Sequence, residues 1–357
     1  MAPKDLITVD ADGLRVRGAK GQVDGRSSTG RSSPSHTAHW YVDPWRPVDL
    51  AIVTHAHADH ARPGSGRYLA SEASLPVLRH RLGNDAVIET LRFGERRQLG
   101  EVTVSLHPAG HVLGSAQVRL ESPDGEVWVV SGDYKRRSDP TCQEFEVVPC
   151  DVFITEATFA LPVYRWPVPE REIAGIRDWW LENRQKGKAS VLFCYAFGKA
   201  QRLLAGLARH SSDVIWMHGA LAALTEIYRE IGIELPPTRL VSEAPKGTSY
   251  KGELILAPPS ARGSTWMRRF GRPSTAFASG WMTVRGRRRQ RSVDRGFVLS
   301  DHADWSALVR TIEETGARRV LTTHGYSDVL ARFLNGRGID ASPLETLYGD
   351  SDDEASG

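Results

Sequence analysis

Short apolar runs alternate with polar loops along this chain, and five of the runs stop on a histidine or an acid. Leu50 to Thr54 leads into His55, Val127 to Ser131 into Gly132-Asp133, and Val152 to Thr155 into Glu156. Phe297 to Ser300 leads into Asp301-His302, and Val320 to Thr323 into His324. Runs of this length, rich in β-branched and apolar residues, predict buried strands. A side chain placed where a strand ends sits on a rigid frame yet faces solvent, as a binding or catalytic group must. Five such junctions predict one shared rim.

Between Pro162 and Arg295 the pattern changes. Arg171 to Gln185, Lys199 to Arg209 and Leu221 to Ile231 carry apolar residues at helical spacing. Two strand-like runs, Ser190 to Cys194 and Glu253 to Ala257, lie among them. The alternation predicts an α/β unit over 163–295, inserted into an α/β domain formed by 1–162 and 296–357. Gly18 to Ser35, rich in Gly, Ser and small polar residues, predicts a loop. Asp304 is placed to cap a helix that runs to about Thr315 and is closed by Gly316.

Composition narrows the class. With 40% hydrophobic and 25% charged residues in 357, the chain has the make-up of a globular protein. No apolar run approaches the ~18 residues of a membrane helix, and MAPKDLITVD lacks a signal-peptide pattern. Cys142, Cys150 and Cys194 form an odd set without a CxxC pair, which argues against a disulfide framework and against a thiolate zinc site. A reducing cytoplasm is the expected compartment. The net charge of +3 is small, but RGRRRQR from Arg285 to Arg291 is densely basic and the tail GDSDDEASG is acidic.

The candidate chemistry centres on His55-Ala-His57-Ala-Asp59-His60. Three imidazoles and a carboxylate within six residues, just past a strand, can turn alternate side chains toward different metals. Such ligands suit Zn²⁺, Mn²⁺ or Fe²⁺. His36, His39, His80, His107, His210 and His218 sit in no comparable cluster and read as ordinary histidines, while Trp166, Trp179, Trp180 and Trp216 read as core. Trp281, in ASGWM near the arginine run, is the candidate for stacking on a base.

THAHADH resembles the HxHxDH signature of the metallo-β-lactamase superfamily. Ala109-Gly110-His111 and Ser131-Gly132-Asp133 follow in the family's order, and Asp43 in YVDPW resembles its early aspartate. Glu156 in ITEATF, His302 in LSDHADW, His324 in THG and the GKAQRLL segment resemble the nucleic-acid-cleaving β-CASP branch. Over nearly its full length the chain looks closest to the bacterial DNA ligase-associated exonucleases. The resemblance implies a metallo-β-lactamase αββα sandwich with an inserted β-CASP-like cap. It implies two divalent ions, zinc or manganese: His55, His57 and His111 would hold one, Asp59, His60 and His324 the other, and Asp133 would bridge them. Asp43 would support the histidines, His302 would be the general acid and Glu156 would orient it. Two ions ~4 Å apart neutralise charge on a phosphate and activate the attacking water.

Three functions follow. The first is a metal-dependent DNA exonuclease of DNA repair, degrading from the 5′ end, with DNA as substrate and a DNA ligase and helicase as partners implied by the resemblance. Arg285, Arg287, Arg288 and Arg289 would then bind backbone phosphates. The second is an RNA-processing nuclease of the same branch. His324 favours it, because the Artemis-like DNA enzymes tend to have valine there. The third, a small-molecule metallo-hydrolase, needs neither the insert nor the arginine run.

Overall fold

The computed structural model describes residues 5–23, 36–286 and 292–346. Its contacts divide the chain into two compact units. The first comprises residues 1–138, 142–162 and 302–356, and the second residues 139–141 and 163–301.

In the first unit, six strands form one sheet in chain order: β1 (Ile7–Val9), β2 (Leu14–Val23), β3 (His36–Val42), β4 (Leu50–Ile52), β5 (Arg67–Ser71) and β6 (Ile88–Leu91). The first three pair antiparallel, and β3 to β6 pair in parallel. The stretch expected to begin a loop at Gly18 is strand as far as Val23. Lys20 to Val23 pair with His36 to His39, after a register shift between Arg15 and Lys20. Gly18, with φ +75°, lies inside that shift, so its glycine serves a bulge instead of ending the strand.

A second sheet starts with β7 (Arg96–Leu99), β8 (Val102–Pro108), β9 (Ala116–Glu121), β10 (Val127–Val130) and β11 (Val152–Glu156). The chain then forms the second unit, whose strands are β12 (Ser190–Phe193), β13 (Ile215–Met217), β14 (Thr238–Leu240), β15 (Leu254–Ala257), β16 (Ser274–Ala278) and β17 (Arg295–Phe297). It returns to complete the earlier sheet with β18 (Arg319–Thr323) and β19 (Asp340–Pro343), in the order β19-β18-β11-β10-β9-β8-β7.

Alternation along the central strands shows how the first unit closes. Trp128, Val130, Val152, Ile154 and Leu321 point into a core shared with Leu50, Ile52 and Leu69 of the first sheet. Their neighbours Val129, Phe153 and Val320 point the other way, against Leu308 and Ile312 of helix Trp305–Thr315 and Leu330 and Leu334 of helix Ser327–Asn335. Period-2 residues on both faces of one sheet are what burial between a sheet and helices requires. The capping expectation holds, since the Asp304 carboxylate accepts from the Ala307 amide at 2.8 Å and Gly316 closes the helix at φ +67°.

The strands of the second unit are all parallel, in the order β14-β13-β15-β12-β16-β17. Helices Pro169–Gln185, Lys199–Ala208 and Ala222–Glu230 accompany them. β17 pairs with β16, so this unit continues through Asp301, past the boundary expected after Arg295. Trp179 and Trp180 are buried, as their helical spacing predicts, and their indole N–H groups donate to Ser274 Oγ and the Gly252 carbonyl.

Asp301 is a buried counter-ion in this unit. Lys199 Nζ and Arg202 Nη1 each lie 2.8 Å from one of its oxygens, and Arg202 also donates to the Ser300 carbonyl. Arg202 Nε also lies 3.4 Å from Asp139, so deleting the Asp301 carboxylate would strip the buried Lys199 of its counter-ion and leave Arg202 with Asp139. Asp301→Ala should therefore cost about 3–5 kcal/mol. A urea midpoint equal to that of the native chain would contradict this reading.

Candidate metal centre

Parallel neighbours end on the same side of a sheet, so β10, β11 and β18 deliver their following residues to one rim. Glu156 closes β11 opposite Thr323 of β18, with His324 next in sequence, and Asp133 follows β10. From the facing sheet, β3 ends beside Asp43, and β4 leads into Thr54 and the His55 to His60 loop. The loop carrying His111 joins β8 to β9 and is tied to the same place by the Ala116 amide, which donates to the Thr54 carbonyl at 2.8 Å.

Two backbone features support these positions. Asp43 (φ 43°) and His324 (φ 61°) hold left-handed conformations that non-glycine residues rarely adopt, and such strain collects at functional sites. Gly132, at φ +56°, lies so close to Thr54 that a Cβ there would meet the threonine Cβ at 2.7 Å. Only glycine lets the β10 end approach the β4 end this closely.

The side chains converge on one oxygen. Asp133 Oδ2 lies 3.5 Å from His55 Nε2, 3.7 Å from His60 Nε2 and 3.7 Å from His111 Nε2. Asp59 Oδ2 is 3.3 Å from His60 Nε2, the His60 and His324 rings stack at 5.7 Å, and His57 Nδ1 is 3.1 Å from His111 Nε2. His55, His57, His111 and Asp133 offer ligand atoms that all lie within 4.8 Å of one another, as do Asp133, Glu156 and His302.

Hydrogen bonds fix which ring nitrogen faces inward. Asp43 accepts from the Thr54 amide at 2.8 Å and from the Thr54 hydroxyl at 2.6 Å. That hydroxyl proton is committed, so toward His55 Nδ1, 3.0 Å away, Thr54 Oγ1 can only accept. Nδ1 then carries the proton, and the lone pair of Nε2 points into the centre. His55 Nε2 is buried without a hydrogen-bond partner. A buried acceptor with nothing to accept from, beside a carboxylate, is the arrangement a cation would satisfy. Asp43 also lies 2.7 Å from His60 Nδ1, and Thr323 Oγ1 lies 2.6 Å from His324 Nδ1. The donor set of imidazole nitrogens and carboxylate oxygens thus fits a divalent metal.

Electrostatics agree. Burial, reinforced by neighbouring imidazoles, holds His55 well below the usual histidine pKa. Burial likewise lowers His57 to about 4 and His324 to about 3, so their rings stay neutral, as ligands must. His60 goes the other way: burial lowers it, but Asp59, Asp43 and Asp133 together raise it well above normal. Burial raises Asp133 to about 7.

Beside this cluster, His302 Nδ1 lies 2.9 Å from Glu156 Oε2, while Glu156 Oε1 accepts from the Tyr134 amide at 2.8 Å. Burial favours the neutral acid, yet the His302 contact outweighs it and lowers the Glu156 pKa. The structure brings Asp43, His55, His57, Asp59, His60, His111, Asp133, Glu156, His302 and His324 into this one region. His39 instead faces Arg15 at 3.4 Å on the β2–β3 sheet. Sequence reasoning missed Thr54 and Thr323. Their signal was present, because a threonine directly precedes a histidine at two of the five junctions.

The expected nucleic-acid contacts fare differently. Arg285 is exposed, and Arg287, Arg288 and Arg289 lie outside the described residues. Trp281 is buried, 8% exposed, with Tyr164 edge-on at 5.7 Å. An indole so covered has little free face for a base, which corrects the stacking expectation.

A probable DNA ligase of Opitutus terrae is 33% identical over 303 residues, covering 85% of this chain but 29% of that protein. Cleavage and polyadenylation specificity factor 73 of Drosophila melanogaster is 28% identical over 192 residues, covering 44% of this chain and 27% of the relative. An RNase J-like protein of Methanocaldococcus jannaschii is 26% identical over 213 residues, covering 51% of this chain and 50% of the relative. The chain thus spans half or less of the length of each of these relatives. A crystal structure of a protein of unknown function from Enterococcus faecalis shares the fold, with a TM-score of 0.57 at 13% identity, covering 84% of this chain and 79% of the other. No family model matches the chain.

Asp43→Asn should test the tautomer argument with little change in shape. It replaces an acceptor by a donor against Thr54 and His60. Divalent-metal affinity should fall roughly 10–100-fold in a Zn²⁺ or Mn²⁺ titration, and an unchanged affinity would refute the role assigned to Asp43.

Proposed function

We propose that this protein is a metal-dependent nuclease of the metallo-β-lactamase fold and β-CASP type. Its first unit would be the catalytic sandwich and its second unit the inserted cap. The carrying observation is the convergence of His55, His60 and His111 on Asp133 Oδ2, with the His302–Glu156 pair in the same cluster. The relatives named as endoribonuclease, cleavage and polyadenylation factor and RNase J-like protein support nucleic-acid hydrolysis.

Two divalent ions are proposed. His55, His57 and His111 would hold one, Asp59, His60 and His324 the other, and the central Asp133 oxygen would bridge them. Bound ions would supply charge neutralisation at the phosphate and activation of water. The chain does the rest. Asp43, Thr54 and Thr323 keep the imidazoles turned inward, and buried surroundings keep His57 and His324 neutral. Glu156 accepts from His302 Nδ1, leaving His302 Nε2 to give its proton to the departing oxygen of the cleaved strand. Both Glu156 oxygens are already engaged, by Tyr134 and His302, which favours this acid role over metal ligation by the pair.

DNA, degraded from its 5′ end, is the proposed substrate, and repair the proposed setting. The similarity to a protein named as a probable DNA ligase, over 85% of this chain, supports DNA. Attack by water at phosphorus needs no ribose 2′-hydroxyl, so the chemistry is open to DNA. RNA is the second reading, favoured by His324 and by the relatives named for RNA cleavage.

His302→Ala should keep the metals but slow strand cleavage by about 10²–10⁴-fold. A substrate with a p-nitrophenolate leaving group, which departs without a proton, should lose far less. Equal losses on both would remove His302 from the acid role.

The substrate reading is tested with end-labelled strands and Mn²⁺ or Zn²⁺. Linear single-stranded DNA should be consumed from its 5′ end while the same sequence closed into a circle survives. Equal cutting of the circle would mean an endonuclease, and much faster digestion of matching RNA would overturn DNA as the substrate.

A further inference from the structure

From Glu253 to Asp294 the sequence has nine arginines and not one aspartate or glutamate between those two acids. Four of the arginines (287, 288, 289 and 291) lie outside the described residues, but Arg268, Arg269 and Arg272 are described and exposed, all within or just after one short 3-10 helix, Thr265–Phe270. None of these three makes an ion pair among the described residues. Three arginines of the first unit behave otherwise: Arg92, Arg96 and Arg97 meet Glu72, Glu121 and Glu89 within 3.2 Å. Unneutralised guanidinium groups on one short segment make a local positive field.

Aromatic rings run through the same place. Trp266, partly exposed, meets His218 at 4.9 Å and Phe270 at 4.7 Å; Phe270 meets Tyr250 at 5.0 Å, and Tyr250 meets Trp216 at 5.2 Å. Phe270 and Tyr250 are buried and hold the outer rings from beneath, while Trp216 and His218 are partly exposed. Arg239 sits over Trp216 at 6.0 Å, and Arg269 Nη1 donates to the Val241 carbonyl at 3.2 Å. Burial, then the Arg269 charge, lowers the His218 pKa, so that ring stays uncharged. The result is a chain of anchored rings in edge-to-face contact, beside arginines that make no ion pair among the described residues.

We infer that this face of the second unit, with Trp266 at its centre and Arg268, Arg269 and Arg272 at its edge, is a docking surface for single-stranded nucleic acid. The partner follows from complementarity. A polyanion with a regular phosphate spacing matches several exposed guanidinium groups, and unstacked bases match partly exposed indole and imidazole rings. A duplex offers phosphates but hides its base faces. An acidic protein would match the charges but give the rings no role. The surface rests on the nuclease reading above and deepens it, since it would contribute affinity for the strand rather than chemistry.

The test uses the full chain and phosphorothioate oligothymidylate and oligouridylate, which resist cleavage, with binding followed by fluorescence anisotropy over a salt series. Trp266→Ala should weaken binding about 5- to 100-fold, the share of one stacked base. The double variant Arg268→Ala/Arg269→Ala should weaken it at low salt and reduce the salt slope by about two. Trp266→Phe and Arg268→Lys/Arg269→Lys should retain most of the binding, which separates loss of contact from loss of fold. Turnover of bis(p-nitrophenyl) phosphate, too small to span the surface, should be unchanged in every variant. If the native protein binds and cuts strands and the variants bind equally well, this surface is wrong while the nuclease reading stands. If the native protein neither binds nor cuts any strand, both fall together. Tighter binding of duplex than of single strand would also overturn the single-strand assignment.

Discussion

Everything at the candidate centre depends on one buried carboxylate. Asp133 is almost fully enclosed, and its Oδ2 is within 3.7 Å of three imidazole nitrogens. Without a cation, such a group is costly to keep ionised, and its pKa accordingly rises to about 7. Burial pushes His55 toward neutrality, whereas Asp59, Asp43 and Asp133 hold His60 well above the usual histidine range. A buried carboxylate ringed by imidazole nitrogens is poorly satisfied by itself and well satisfied by divalent charge.

That constraint reaches outward through second partners. Asp43 accepts from Thr54 and lies within hydrogen-bond distance of His60, so a single carboxylate ties together the two ends of the histidine loop. The left-handed backbone at Asp43 and His324 and the glycine at 132 belong to the same set of demands. Each is locally unfavourable or permits an unusually close approach, and each holds a polar group where the packed sheets would not otherwise put it.

The two units solve different problems. The first stacks two sheets and covers one of them with helices, leaving the strand ends to carry the polar cluster. The second is a parallel sheet whose buried cations Lys199 and Arg202 are matched by Asp301 and Asp139, while arginines on its Thr265–Phe270 segment are exposed and make no ion pair among the described residues. Charge is thus used internally for cohesion in one place and displayed outwardly in another.

The sequence by itself determined the candidate donor types, the strand ends that carry them and most helices, because each follows from local periodicity or from neighbours within a few positions. The histidine loop, the Asp304 cap and the helices at 169–185 and 199–208 were readable for that reason. Only the tertiary structure decided the rest. That Asp133 lies at the centre, that Thr54 fixes the His55 tautomer and that Glu156 pairs with His302, 146 residues away, are matters of three-dimensional approach that no spacing encodes. Burial of Trp281, continuation of β2 through Gly18 and pairing of β17 with β16 were likewise invisible. A tryptophan near arginines, a glycine-rich stretch and a short apolar run each have several local readings. The choice among them is made by what packs against them, and those partners come from distant parts of the chain.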